Sequence, residues 1–366
     1  MGSLSPTPPP PTPPPSPEIP LDGYRVYASF CMREPSCCKV SNWIECFDPT
    51  NNTWSHASPI PGLMEDHVLK DFAMVSIGDS IFVIGGRLCH KGYNFRESPS
   101  YFDKNSEVLS CVWRYHISTD QWFRCASLSV PRYNFACALC DNKVYVAGGQ
   151  STSGCARGIS SAEVYDPSVD TYKCVGVTWQ GKIHVVGGFA DKGDWDRQVK
   201  VIYGPERSSA DVYNPQTGRW EYVAGMWQLD VPPNQIVAVG DTLFSSGDCL
   251  NPWKGHIEAY DGKLNMWNVV DGSQQESLSS PISTSDAGVQ DPRPRQRLYL
   301  TMAPIGSRLL FFAGYRMNGE FSRSISMVHA FDINAETYAW TSFEPTKEEG
   351  EKELCTHCCV VQMSRC

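Results

Sequence analysis

The sequence contains no run of 18 apolar residues, so no helix is expected to span a membrane. Its first residues show neither a basic segment nor an apolar stretch behind one, which excludes the pattern of a secretory signal. MGSLSP opens like an acylation site but has Pro6 where Ser or Thr is required. Basic residues are in short supply: 31 Lys and Arg face 40 Asp and Glu, for a net charge of −9 and a pI near 5.4. A protein that neutralises nucleic-acid phosphates needs the opposite balance. The eight histidines (56, 67, 90, 116, 184, 256, 329 and 357) are scattered without pairing, and no Ser-His-Asp or Cys-His grouping can be read from a local motif. These absences predict a cytoplasmic or nuclear protein that binds neither membrane nor nucleic acid.

What is present is a repeat. Six times an aromatic is followed seven positions later by another: Phe47…Trp54, Tyr115…Trp122, Tyr165…Tyr172, Tyr213…Trp220, Tyr260…Trp267 and Phe331…Tyr338. Turn-rich spacers such as DPTNNT and NPQTGR separate the members of each pair. Ahead of four pairs, an apolar run ends in glycine: IFVIGG at 81–86, VYVAGG at 144–149, IHVVGG at 183–188 and LFFAG at 310–314. LFSSGD at 243–248 keeps one glycine of the doublet. Short strands recurring about every fifty residues are the pattern of propeller blades. The apolar run predicts an inner strand buried on both faces, and the glycines a positive-φ turn near the central axis.

The glycine doublets and aromatic pairs together resemble the kelch motif, over roughly residues 24–363. The resemblance implies an all-β fold, a six-bladed β-propeller of kelch repeats, preceded by a proline-rich segment at 1–23 with no core of its own. The first unit has YRVYASF (24–30), WIECFD (43–48) and TWSHA (53–57) but lacks an inner strand. HCCVVQM at 357–363 matches the run that opens other units, so a C-terminal strand is expected to close the ring and hide its edges. The third blade is expected to be incomplete. TYKCVGVTW aligns with RYNFACALC, which leaves no room for a fourth strand between Tyr165 and the next unit.

Sixteen cysteines in so large a chain read as reduced thiols acting as small apolar residues. CALC (137–140) and CTHC (355–358) have metal-like spacing, but residues three apart on a strand face opposite sides of the sheet. No metal or cofactor is expected. Glu45, Asp211, Glu163 and Glu258 recur at one strand position, which points to a structural role with backbone donors or an arginine such as Arg132. KEEGEKE (347–353) reads as a solvated connector and the Ser-rich 268–297 as a disordered insertion.

Three long loops, 87–110, 189–208 and 315–325, fall between second and third strands and so emerge on one face. They carry Arg87, Tyr93, Phe95, Arg96, Trp195, Arg197, Tyr315, Arg316 and Arg323. Tyr, Trp and Arg dominate protein-interface hot spots, so these residues are the candidate partner site. The resemblance implies a non-enzymatic protein-interaction module, a substrate-recognition or scaffold component linked to ubiquitin ligases and similar to the kelch part of plant F-box/kelch proteins. Only about 23 residues precede the first strand, too few for an F-box. The proline tract suits an SH3- or WW-type domain. The alternative within the resemblance is a metal enzyme of galactose-oxidase or nitrile-specifier type. The E-x-x-x-D-x-x-x-H pattern of the latter is unmatched: Leu69 stands four after Glu65, and Cys111 four after Glu107.

Overall fold

A computed structural model describes residues 21–32, 41–90, 106–153, 158–159, 161–165, 177–186, 209–229, 233–248, 250–279, 296–316, 323–335 and 339–363. The described chain is all-β apart from short 3-10 turns. β1 (Tyr24–Met32), β2 (Trp43–Asp48) and β3 (Thr53–Pro59) form the first antiparallel sheet. β4 (His67–Lys70), β5 (Ala73–Ile77), β6 (Ser80–Ile84), β7 (Arg87–His90), β8 (Glu107–Val108), β9 (Val112–His116) and β10 (Gln121–Cys125) make the second unit. Here β5, β6, β9 and β10 form one sheet and β4, β7 and β8 a smaller one. The two are the same hairpin arms continued past a bend. Asp71 (φ 58°), Gly85 (φ 59°) and Gly86 (φ 98°) all turn at positive φ between them. A Cβ on Gly85 would lie 2.6 Å from the Arg132 carbonyl oxygen, and one on Gly86 2.8 Å from the Phe72 Cβ. Only glycine fits at such approaches.

The third sheet holds β11 (Ala136–Cys140), β12 (Lys143–Ala147) and β13 (Ala162–Tyr165). β14 (Val177–Trp179) opens the fourth sheet, followed by β15 (Lys182–Val186), β16 (Ala210–Asn214) and β17 (Arg219–Val223). The fifth has β18 (Ile236–Val239), β19 (Thr242–Ser245), β20 (Glu258–Asp261) and β21 (Met266–Val269). The sixth has β22 (Gln296–Ile305), β23 (Arg308–Arg316), β24 (Arg323–Asp332) and β25 (Trp340–Ser342), with β26 (Thr346–Glu349) also on β24. β27 (Lys352–Leu354) and β28 (Cys359–Gln362) return to the first sheet. Both pair antiparallel with β1, with Tyr24 opposite Gln362 and Tyr27 opposite Cys359.

Each sheet packs on the next through a shared apolar cluster. Tyr27 and Ile44 meet Ile81 and Val83; Phe82 and Ile84 meet Val144 and Val146; Tyr145 and Ala147 meet Ile183. Ala210 and Val212 meet Leu243 and Tyr260, and Phe244 meets Leu309 and Phe311. Val26 and Phe47 of the first sheet meet Leu310 and Phe312 of the sixth. The aromatic pairs are direct cross-strand partners, with ring centroids 5.1 Å apart for Phe47–Trp54, 5.0 Å for Tyr115–Trp122, 5.1 Å for Tyr213–Trp220 and 5.3 Å for Tyr260–Trp267. In the sixth sheet the described cross-strand partner of Phe331 is Trp340, with ring centroids 5.0 Å apart. Tyr338 and Tyr172 lie outside the described residues.

Two readings of polar segments change. KEEGEKE is more than a solvated connector: it contributes to β26 and β27, and Glu348, Glu351, Lys352 and Glu353 are paired, while Lys347 and Glu349 face solvent. Lys352 contacts Glu45 at 2.7 Å and Glu348 at 2.5 Å, Glu353 contacts Lys70 at 2.9 Å, and Glu351 takes both arms of Arg316. The start of the Ser-rich insertion is ordered as well, with Ser273 and Leu278 fully buried. Residues 280–295 lie outside the described set.

Candidate functional site

The sheets place their turns alternately. Antiparallel order puts the connection from second to third strand at one end of each sheet and the short hairpin turns at the other. At the first of these the described candidate residues sit at strand ends and not in free loops. Arg87 begins β7. Its Nε donates to Asp71 Oδ2 at 2.6 Å and its guanidinium lies 5.0 Å from the Tyr133 ring centre. Burial works against its charge, and Asp71 outweighs that and raises its pKa.

Tyr315 and Arg316 end β23, and Arg323 begins β24 opposite Glu349. Tyr315 is 1 % exposed and donates to the Ser277 carbonyl at 3.0 Å, and burial pushes its phenol up to about 12. It packs the loop onto the sheet and offers no ring to a partner. Arg316 is held by Glu351 on two sides and by Gln296 at 3.0 Å. Tyr93, Phe95, Arg96, Trp195 and Arg197 lie outside the described residues. The loop-based expectation missed the length of β7, β23 and β24 because their distal ends carry polar and charged residues, which read as loop.

Three of the four recurrent carboxylates, Glu45, Glu163 and Glu258, are engaged within the fold. Glu163 accepts from the Ser129 and Val130 backbone N–H groups at 2.7 and 3.2 Å and from the Ser129 hydroxyl. It also accepts from Arg132 Nη2 at 2.6 Å, and Arg132 is completely buried. Burial opposes the charge of Glu163, yet the donors from Ser129 and Arg132 hold its carboxyl below the usual range. Glu45 accepts from the Trp43 indole at 2.7 Å besides Lys352, and Glu258 lies 3.2 Å from Lys254. Asp211 is exposed.

Ten cysteines among the described residues are free thiols. Cys31, Cys89, Cys355 and Cys359 are buried in the core between the first two sheets. Burial pushes Cys137 up to about 12 and Cys358 up to about 11, which leaves both inert as thiols. Among the described residues, the cluster with metal-ligand spacing is Asp66, His67 and His90. At the hairpin-turn end, an open groove of about 620 Å³ is lined by Trp179, Gln180, Asp241, Tyr260, Asp261 and Lys263. Trp179 is fixed there by its indole N–H, which donates to the Asp241 carbonyl at 2.9 Å.

The family model of the Kelch motif matches residues 131–176, the stretch that contains Arg132, the doublet at 148–149 and Glu163. Two F-box/kelch-repeat proteins of Arabidopsis thaliana are 30 % and 28 % identical, over 51 % and 77 % of this chain. Kelch-like protein 21 of Homo sapiens is 23 % identical over 62 % of the chain. The chain carries a Kelch motif and is similar to kelch-repeat proteins. It spans 46 %, 64 % and 40 % of the lengths of those three relatives. The Kelch motif match takes in one glycine doublet, Gly148 and Gly149, and one engaged carboxylate, Glu163. No helix among the described residues is long and apolar enough to cross a membrane.

Proposed function

We propose that this kelch chain is a non-enzymatic protein-recognition module, a single domain over residues 24–363 in which six blades form a closed propeller. The observation that carries the reading is the succession of shared cores. Every sheet packs on the next, the sixth packs on the first, and β28 lies on β1. A ring of this kind leaves loops at its two faces as the surfaces free to vary. The third blade is a reduced one: among the described residues it has three strands, and β14 already belongs to the fourth sheet.

In this reading the partner docks on the face of the second-to-third-strand loops, through Arg96, Phe95, Tyr93, Trp195 and Arg197, with Arg87, Arg316 and Arg323 at its base. The similarity to F-box/kelch-repeat proteins supports a role as a recognition or scaffold component linked to a ubiquitin ligase, in the cytoplasm or nucleus. The proline tract adds a second contact for an SH3- or WW-type domain.

The test is a Trp195→Ala, Arg96→Ala double variant scored for partner recovery by affinity capture and mass spectrometry, and for melting temperature. Hot-spot truncations cost about 2 kcal/mol or more of binding each, roughly thirty-fold. Recovery should fall while melting is unchanged, and cullin-type subunits in the wild-type capture support the ligase link. Undiminished recovery that is instead abolished by Lys263→Glu, on the hairpin-turn face, would overturn the choice of face.

A further inference from the structure

The antiparallel register of β4 and β7 sets His67 directly opposite His90. Their rings lie 3.9 Å apart, centre to centre, at 45°. The Asp66 carboxylate reaches both, with Oδ1 2.7 Å from His67 Nδ1 and Oδ2 3.8 Å from His90 Nδ1. The second distance is too long for a hydrogen bond. Each of the three residues has a ligand atom within 4.8 Å of the other two. We propose that Asp66, His67 and His90 form a binding site for a divalent transition-metal ion of the zinc class. This goes beyond the recognition reading and does not depend on it.

The donor set suits such an ion. Imidazole nitrogens with one carboxylate favour zinc, copper and nickel over magnesium or calcium, which take oxygen ligands. Around a four-coordinate ion with bonds of about 2.1 Å, two donors stand roughly 3.4 Å apart. The Asp66–His67 separation must therefore open by several tenths of an ångström and the Asp66–His90 separation must close by a similar amount. The Asp66 side chain is 66 % exposed and free to make that adjustment.

The histidines stand on a rigid base. Val68, Leu69, Leu88 and Cys89, the next residues along the same ladder, are all buried. Asn42 clamps Leu69 through both its N–H and its carbonyl, at 2.7 and 2.8 Å. A site on packed strands is preorganised in a way that a loop site is not. The His90 side chain is 44 % exposed, so a fourth position remains open to water or to a donor from a bound partner.

The experiment uses the full chain, stripped with chelator and titrated with zinc chloride in a calorimeter. Wild type should bind zinc at this site, with a rise in melting temperature that follows from ligand binding to the folded state. His90→Gln should weaken that event by about a hundredfold and Asp66→Asn by about tenfold, since even residues behind the ligands are worth ten- to a hundredfold. Both positions are solvent-accessible, so the variants should fold, and His256→Gln should bind as wild type. Cobalt should give visible bands without a thiolate charge-transfer band. Zinc binding by His90→Gln with wild-type affinity and stoichiometry, a thiolate band that survives that substitution, or no binding by the wild type would each overturn the proposal.

Discussion

Arg132 is completely buried, and a guanidinium removed from water needs its charge met; both terminal nitrogens are engaged while Nε has no hydrogen-bond partner. Glu163 meets the charge, and the carbonyls of Gly148 and Ser161 take the other arm at 2.9 and 3.0 Å. Glu163→Gln should destabilise the protein by about 3 kcal/mol, the scale for breaking one side of a buried pair. Chemical denaturation measures it, and a change below about 0.5 kcal/mol would show the pair to be dispensable. Because the Glu163 carboxyl is lowered in the folded state, its contribution is complete above the ordinary carboxylate range and fades as pH falls through its folded value. His329 acts in a different window. Burial pulls its pKa from 6.5 down to about 4, so the unfolded chain takes up the proton first. Stability should fall as pH drops from about 6.5 towards 4, by on the order of 3 kcal/mol. His329→Gln should flatten the melting profile across that interval, and an unchanged slope would remove His329 as its cause.

Among the elements, β28 makes the most consequential pairing. It covers one edge of β1 and brings Val361 (1 % exposed) and Cys359 into the core between the first two sheets. Deleting residues 355–366 should leave a sheet edge and an apolar groove facing water, conditions that favour edge-to-edge association. The truncated chain should aggregate in light scattering and melt lower. A monomer with wild-type melting would refute this. The strand itself was legible in sequence because HCCVVQM has the apolar density of the runs that open other units. β26 and β27 were not legible, since their lysines and glutamates have strand pairing only by virtue of partners brought from Glu45, Lys70 and Arg316. His67 and His90 are also a product of register. They lie on two arms of one bent hairpin, and no local spacing marks them as neighbours.

At the scale of the molecule, the repeat was readable because glycine doublets and paired aromatics answer to backbone geometry that recurs in each unit. The candidate partner surface was less so. Composition nominated Tyr315 and Arg316 for the same reason as Arg96, but burial of the first and the Glu351 contacts of the second arise from chain segments far away in sequence. The β1–β28 pairing also fixes an order of events during synthesis. β1 leaves the ribosome about 340 residues before Gln362, a delay of some tens of seconds at about 5–20 residues per second. Throughout that interval later sheets can form on their own local contacts while β1 waits with an unmatched side. The nascent chain therefore needs either a chaperone on its first strands or a late, slow docking step. Ribosome-bound intermediates of this protein should be more protease-sensitive at their beginning than in their middle.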